Sequence, residues 1–163
     1  VGSEMCIRDS SKDYLVARIE QLLNERKLFR ERVWQQPEEH KEEQDTYEQF
    51  LVKKDVQFIE KIHQVIEENL DNSDFNIDTI ASTIGLSRSA FFKKLKSLTG
   101  FAPVDLVKEI RLNKSIELIK NSDMSISEIA FAVGFKDSGY FSKCFRKKYD
   151  QTPREYMNEW RKG

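Results

Sequence analysis

The sequence is poor in residues that break helices and in residues that cross-link a chain. Only 6 of its 163 residues are Gly and 3 are Pro, whereas an all-β sandwich needs turn residues about every 8–12 positions. Its two cysteines, Cys6 and Cys144, stand far apart, which excludes a disulfide scaffold and suits a reducing cytoplasm. No apolar run approaches the roughly 20 residues that cross a bilayer, and no secretory leader precedes the body. We therefore expect a helical, cytoplasmic chain.

The charge that is present is distributed unevenly. Residues 86–163 hold 16 Lys/Arg and 9 Asp/Glu, a net of +7, whereas residues 1–54 carry a net of −2 and residues 55–85 a net of −6. The whole chain has a formal charge of −1, but a polyanion responds to the local field of a patch rather than to the total charge. The net negative charge of the whole chain therefore does not exclude a nucleic-acid partner for its second half.

The first third of the chain is predicted to hold one helix between two irregular segments. Residues 1–10 have no periodicity and are equally consistent with a non-native leader and a frayed terminus. Residues 11–36 carry apolar side chains at helical spacing and end before Pro37. Residues 37–54 contain six acids between Glu38 and Glu48, which favours a solvated acidic linker over an acidic binding patch.

A domain is predicted over residues 55–163, and its first helix spans residues 55–70. Apolar residues such as Val56, Ile59 and Ile62 form one stripe on that helix. His63 lies beside the stripe without a metal-ligand motif, so we expect a surface or boundary residue rather than a ligand.

An internal repeat with a period near 50 residues follows. Ile80-Ala81 and Gly85 recur 49 positions later as Ile129-Ala130 and Gly134. After the glycine the offset is 50, so Phe91 recurs as Phe141. Two copies with helical periodicity are too few for a solenoid or a propeller.

Each copy has the pattern of a helix-turn-helix. In the first copy Gly85 can end a short helix in the left-handed conformation, and Ser87 can cap the next helix over residues 88–98. In the second copy Ser125 and Glu128 form a capping-box pattern ahead of residues 126–133. Asp137 then stands at the N-cap of residues 138–149.

The second helix of each copy carries four basic residues and no acid. They are Arg88, Lys93, Lys94 and Lys96 in the first copy, and Lys143, Arg146, Lys147 and Lys148 in the second. Two acid-free basic helices in the recognition position favour phosphates and a major groove over a merely solvated face. The predicted DNA-contacting residues are Arg88, Ser89, Phe92, Lys93, Lys96, Ser138, Gly139, Ser142, Lys143, Arg146 and Lys147. Phe92 has two equal interpretations, a contact with a thymine methyl or packing on the connecting helix.

Residues 102–120 between the copies predict a linker helix that is apolar on more than one side. Such a helix packs against both neighbours and spans about 27 Å at 1.5 Å per residue. It could therefore hold two recognition helices close to one turn of DNA apart, about 34 Å. A last helix is predicted from Thr152-Pro153 to near Trp160.

Residues 129–135, 138–143 and 153–156, with residues 109–112 of the linker, resemble the AraC/XylS family of bacterial transcription regulators. The resemblance covers residues 56–160. It implies an all-α fold of two helix-turn-helix subdomains joined by a central linker helix, and a sequence-specific DNA-binding regulator, expected to be an activator. Asp150 departs from the family, which usually has Gly there, as this chain has at Gly100.

Residues 11–19, with Leu22 and Leu23, resemble the final helix of a two-component receiver domain. Hybrid two-component sensors place an AraC-type module after such a receiver. The resemblance implies a longer, membrane-anchored parent protein that dimerises and contacts RNA polymerase. The receiver's phospho-accepting Asp and its Lys are not in this sequence.

Two other classes of function compete with DNA binding. A helical protein-interaction domain could use the basic faces to bind an acidic partner. An enzyme finds no support, because the sequence has no Cys/His nucleophile pair, no phosphate-cradling Gly loop and no metal cluster. We expect no cofactor, no metal and no small-molecule ligand.

Overall fold

The computed structural model describes residues 15–17, 20, 21, 24, 25, 28 and 41–163, and within these residues every regular element is a helix. The helices of residues 41–163 are α1 (Lys41–Glu68), α2 (Ile77–Ile84), α3 (Arg88–Thr99), α4 (Pro103–Asn121), α5 (Ile126–Ala132), α6 (Ser138–Tyr149) and α7 (Pro153–Lys162). The predicted all-α class, with two helix-turn-helix units joined by a central helix, is confirmed.

The N-terminal predictions are covered only in part. The described residues between 15 and 28 are helical, and Leu15 is fully buried. Residues 1–14, and the whole segment from 29 to 40, lie outside the described residues.

Helix α1 begins earlier than predicted, at Lys41 rather than Asp55. Residues 41–54 were expected to form a linker, and they form the first half of one continuous helix. The prediction failed because it required an apolar stripe, whereas Glu, Gln and Lys are good helix formers without one. No Gly or Pro interrupts the sequence between Pro37 and Gly85.

The first helix-turn-helix forms through side-chain caps and one left-handed glycine. Asn76 Oδ1 accepts a hydrogen bond from Thr79 N at 3.0 Å and starts α2. Gly85, with φ of 80°, ends α2 as predicted. Ser87 Oγ then accepts from Ala90 N at 3.2 Å and starts α3.

The second unit repeats this arrangement with different caps. Ser125 and Glu128 form the predicted capping box, and Thr152 and Glu155 form another at the start of α7. Asp137 Oδ1 accepts from Tyr140 N at 2.6 Å at the start of α6. Asp150 ends α6 with φ of 58°, the left-handed conformation that Gly100 adopts in the first copy.

Buried hydrophobic residues of the described part form two clusters, which divide the domain into two lobes. The first lobe comprises α1, α2, α3 and the N-terminal half of α4, with Phe91 and Leu95 of α3 fully buried. The second lobe comprises the C-terminal half of α4 with α5, α6 and α7, and Phe141 and Phe145 of α6 are fully buried.

Helix α4 contributes to both clusters, as its apolar pattern predicted. Leu106 and Ile110 lie in the first cluster, while Leu112 and Ile119 lie in the second. The 19 residues of α4 correspond to about 28 Å. One continuous helix therefore connects the two lobes and sets the separation of their recognition helices.

His63 is buried, with 5% of its surface exposed, so the expectation of a surface or boundary residue was wrong. It lies on α1 beside Ile62, on the side that the first lobe covers. The buried face of α1 is therefore wider than the apolar stripe that the sequence periodicity indicated.

Among the described residues, no helix is both long enough and apolar enough to span a membrane.

Gly85 and Gly134 provide a matched pair for testing the lobe packing. Both have positive φ, 80° and 91°, but a Cβ on Gly85 would meet nothing within 4 Å, whereas one on Gly134 would lie 2.3 Å from Leu70 O. Gly85→Ala should lower the free energy of unfolding by about 1–2 kcal/mol, the cost of the left-handed conformation. Gly134→Ala should cost about 1–3 kcal/mol more, because backbone must move. Urea unfolding of both variants measures the difference, and equal losses would refute the close approach.

Candidate nucleic-acid interface

Helices α3 and α6 occupy the second position of each helix-turn-helix, and each divides into a buried face and an exposed face. Phe91 and Leu95 anchor α3, and Phe141 and Phe145 anchor α6. In the second lobe the Phe141 and Phe145 rings pack edge to face, with centroids 5.8 Å apart. Because these anchors fix the rotation of each helix, they also fix which side chains face outward.

All the predicted DNA-contacting residues lie on these two helices, and most are exposed. On α3 the exposed set is Arg88, Ser89, Phe92, Lys93 and Lys96. On α6 the exposed set is Gly139, Lys143, Arg146 and Lys147, while Ser138 and Ser142 are half-buried. Ser142 Oγ donates to Ser138 O at 2.9 Å, so this hydroxyl keeps only its acceptor capacity for a ligand.

Two basic residues of the recognition helices are tied to the fold instead of facing outward. Lys94 Nζ lies 3.4 Å from Asp55 Oδ1 and 4.5 Å from the Phe58 ring centroid on α1. Lys148 Nζ lies 2.6 Å from Glu109 Oε2 of α4. Neither lysine is among the predicted DNA-contacting residues, and both pack against neighbouring helices.

The Lys148 contact is largely shielded from water. The Lys148 and Glu109 side chains are only 11% and 20% exposed. Lys148 Nζ also donates to Asn113 Oδ1 at 2.5 Å, and Asn113 Oδ1 accepts from the Tyr149 hydroxyl at 3.0 Å. This network joins the C-terminal end of α6 to the linker helix.

Five of the six remaining basic residues of the two helices form what we call the free basic set. Its members are Lys93, Lys96, Lys143, Arg146 and Lys147, and among the described residues none has a carboxylate within ion-pair distance. Arg88 differs, because its Nη1 lies 3.2 Å from Asp78 Oδ2, with both side chains well exposed. A surface pair of this kind contributes about 0–1 kcal/mol, so an anion can compete for Arg88.

Two exposed aromatic side chains accompany the basic residues. Phe92 is 47% exposed, which fits an outward contact better than packing on the linker helix. Tyr140 is 54% exposed and was absent from the predicted contacts. Its ring stands 6.1 Å from that of Phe135, and a hydrogen bond with Cys144 raises the pKa of its hydroxyl. The signal available in the sequence was an aromatic directly before the buried Phe141.

The two lobes meet at a junction formed by Leu70, Asn72, Arg111 and Gly134. Leu70 packs against both hydrophobic clusters. Arg111 of α4 donates from Nη2 to Asn72 O at 3.2 Å. A Cβ on Gly134 would lie 2.9 Å from the Arg111 guanidinium. Glycine therefore allows the turn between α5 and α6 to pack directly against the Arg111 side chain. Lys136 Nζ, 2.7 Å from Asp74 Oδ1, adds a surface ion pair between the same two loops.

The N-terminal ends of α3 and α6 open on the same side of α4. Arg88 at the start of α3, and Asp137 and Tyr140 at the start of α6, border one cavity whose floor includes Val107 and Arg111 of α4. The N-terminal ends of two basic helices that contain no acid therefore border the same cavity. The arrangement can present positive charge to two segments of one polyanion at once.

Comparison with known proteins also identifies a helix-turn-helix domain in this chain. Residues 80–159 match a family model described as a helix-turn-helix domain. A histidine kinase P4 from Formosa agariphila is 38% identical over 106 residues, which cover 65% of this chain but only 8% of that protein. The chain thus corresponds to a small part of that relative.

Two solved structures are similar over most of their own length. The C-terminal domain of the two-component response regulator yesN from Fusobacterium nucleatum has a TM-score of 0.56 and 31% identity, covering 60% of this chain and 95% of that one. A transcriptional regulator from Chromobacterium violaceum, described as containing an AraC-type DNA-binding domain, has a TM-score of 0.58 and 29% identity, covering 61% and 88%.

Lys143 and Lys148 lie five residues apart on α6, and variants of the two distinguish a role in DNA binding from a role in folding stability. Lys148→Met should lower the free energy of unfolding by about 1–3 kcal/mol, because Glu109 would lose its charged hydrogen bond in a shielded site. Lys143→Ala should leave unfolding nearly unchanged, since Lys143 is exposed and unpaired among the described residues. It should instead weaken binding to a specific DNA site by about 1–3 kcal/mol.

Thermal unfolding and DNA titration of the two variants provide the measurements. The opposite pattern, with a stable Lys148→Met and an unfolded Lys143→Ala, would overturn the assignment of the two lysines.

Proposed function

The chain belongs to the AraC-type family of helix-turn-helix DNA-binding domains of transcription regulators, and from this we propose that it activates transcription by placing α3 and α6 in successive major grooves. One chain then binds two half-sites on one face of the duplex. The domain acts through DNA and not through catalysis, in keeping with the regulators it resembles.

The observation that carries this proposal is the common side of the two recognition helices. Their N-terminal ends border one cavity above α4, and the free basic set lies along both. The roughly 28 Å length of α4 is close to the 34 Å of one helical turn. Recognition helices one turn apart meet the major groove on the same face, as the two halves of a dimeric repressor do.

We assign the contacts by position along the two helices. Lys93 and Lys143 occupy matching positions of the repeat and are placed at base edges, where a lysine can donate to guanine O6 and N7. Lys96, Arg146 and Lys147 lie further along the helices and are assigned to phosphates. Ser89, Ser138, Gly139 and Ser142 border these side chains, and Arg88 joins them when it leaves Asp78. Phe92 is assigned to a thymine methyl.

We further propose that the domain is the output module of a two-component system. The response-regulator structure and the histidine kinase relative both support this context. The proposed division is a leader over residues 1–10, the end of a receiver over residues 11–36, a connecting segment over residues 37–54, and the DNA-binding domain over residues 55–163. A membrane-anchored parent that dimerises and recruits RNA polymerase would complete the pathway.

The competing function is a protein-interaction domain that binds an acidic partner through the same basic faces. Competition between duplexes separates the two functions. A DNA domain should release a labelled specific duplex to unlabelled specific DNA far more readily than to random DNA, because mismatched base pairs cost about 1–3 kcal/mol each. If both duplexes compete equally, the binding is not sequence-specific and only electrostatic attraction explains it.

We predict a marked salt dependence of DNA binding from the members of the free basic set that are assigned to phosphates. If Lys96, Arg146 and Lys147 each neutralise one phosphate, log K against log salt should have a slope of about −3, since each contact contributes about −0.9. Lys96→Ala and Lys147→Ala should each flatten the slope by about one. Lys114→Gln, on α4 and paired with Glu117, is the control that should leave it unchanged. A slope shallower than about −1 would rule out the nucleic-acid function.

A further inference from the structure

We propose that the cavity between the lobes binds a small amphipathic carboxylate. The cavity has a volume of about 540 Å³, within the range of about 300–1,000 Å³ that is common for small-molecule sites. The sequence predicted no small-molecule ligand, since the residues that line this cavity form no sequence motif. They come from the loop before α2, from α4 and from the turn into α6, which only the fold brings together.

The lining of the cavity is mainly apolar. Its apolar residues are Phe75, Ile77, Val104, Val107, Phe135 and Tyr140. The lining also holds four basic residues, Arg88, Lys108, Arg111 and Lys136, against two carboxylates, Asp78 and Asp137. It therefore combines an apolar wall that fits a hydrocarbon chain or ring with a net positive charge that attracts an anion. Because both lobes contribute walls, one bound molecule would touch both.

The charged groups around the cavity are nearly all paired with one another. Arg88 pairs with Asp78 at 3.2 Å and Lys136 with Asp74 at 2.7 Å. Lys108 lies 3.7 Å from Asp105. Among the described residues two lining groups differ. Asp137 has no cation within ion-pair distance and accepts a hydrogen bond from Tyr140 N, while Arg111 donates to the neutral carbonyl of Asn72 and its Nε has no hydrogen-bond partner.

Arg111 therefore supplies a positive charge without a carboxylate. Burial lowers the pKa of its guanidinium from the ordinary value, but an arginine keeps its charge at neutral pH. A half-buried cation beside an apolar cavity is stabilised by an anion that brings its own hydrocarbon. A carboxylate matches the fork of the guanidinium, which sets the chemical class of the ligand.

Decanoate and decan-1-ol are suitable probes, because they share a chain and differ in charge. In ¹H–¹⁵N spectra of the full chain without DNA, decanoate should shift amides of residues 104–111 and 134–140. Decan-1-ol should bind about tenfold more weakly, which corresponds to about 1.4 kcal/mol. The test does not depend on the proposed DNA function, so either can fail alone.

Variants locate the site. Val104 is 59% exposed at the rim, so Val104→Trp should fold normally, fill the cavity and abolish the shifts. Arg111→Gln should reduce the preference for decanoate over decan-1-ol to near one, and Arg111→Lys should restore part of it. Lys114→Gln, on the same helix but outside the lining, should bind decanoate like the parent chain.

Three results would overturn the site. The first is equal binding of decanoate and decan-1-ol by the parent chain. The second is a set of shifts outside the cavity that Val104→Trp leaves intact. The third is an absence of localised shifts, combined with a loss of random-sequence DNA binding in Arg111→Gln as large as in Lys96→Ala. That last result would assign the cavity to the DNA backbone.

Discussion

The close approach of Gly134 to the Leu70 carbonyl and the Arg111 guanidinium is the contact on which the arrangement of the two lobes depends. Each helix-turn-helix has its own hydrophobic cluster and its own caps, so each could hold its recognition helix alone. Neither lobe alone determines where the other lobe lies. That position is fixed by α4, which enters both clusters, and by the junction, where a side chain on Gly134 would collide with backbone.

The basic residues of the two recognition helices are divided between packing and exposure. Lys94 and Lys148 hold α3 to α1 and α6 to α4, through Asp55 and Glu109. The free basic set is left facing outward, on helices whose rotation is fixed by buried phenylalanines. Charges used for packing and charges available to a polyanion are therefore separated along each helix. A chain with a net charge of −1 can in this way present two strongly positive faces.

Most of the architecture could be predicted from the sequence because it is determined by local chemistry. Gly85 and the Ser125–Glu128 capping box act within a few residues, and the spacing of Phe91 and Phe141 revealed the repeat. Long-range contacts left no comparable signal. Nothing near Lys148 in the sequence indicates that Glu109 lies beside it, and nothing near Arg111 indicates Gly134. Helix α1 was predicted too short because its N-terminal half has helix propensity but no apolar stripe.

The central claim, that α4 and the junction fix two recognition helices on one face of DNA, is tested most directly by inserting one alanine between Asn113 and Lys114. The insertion turns one lobe by about 100° relative to the other, because a helical turn takes 3.6 residues. Hydroxyl-radical footprints of the parent chain should show two protected segments about one turn apart on one face. The folded insertion variant, checked by circular dichroism, should lose the paired footprint while it keeps affinity for random DNA. An unchanged footprint at both half-sites in that folded variant would contradict the account.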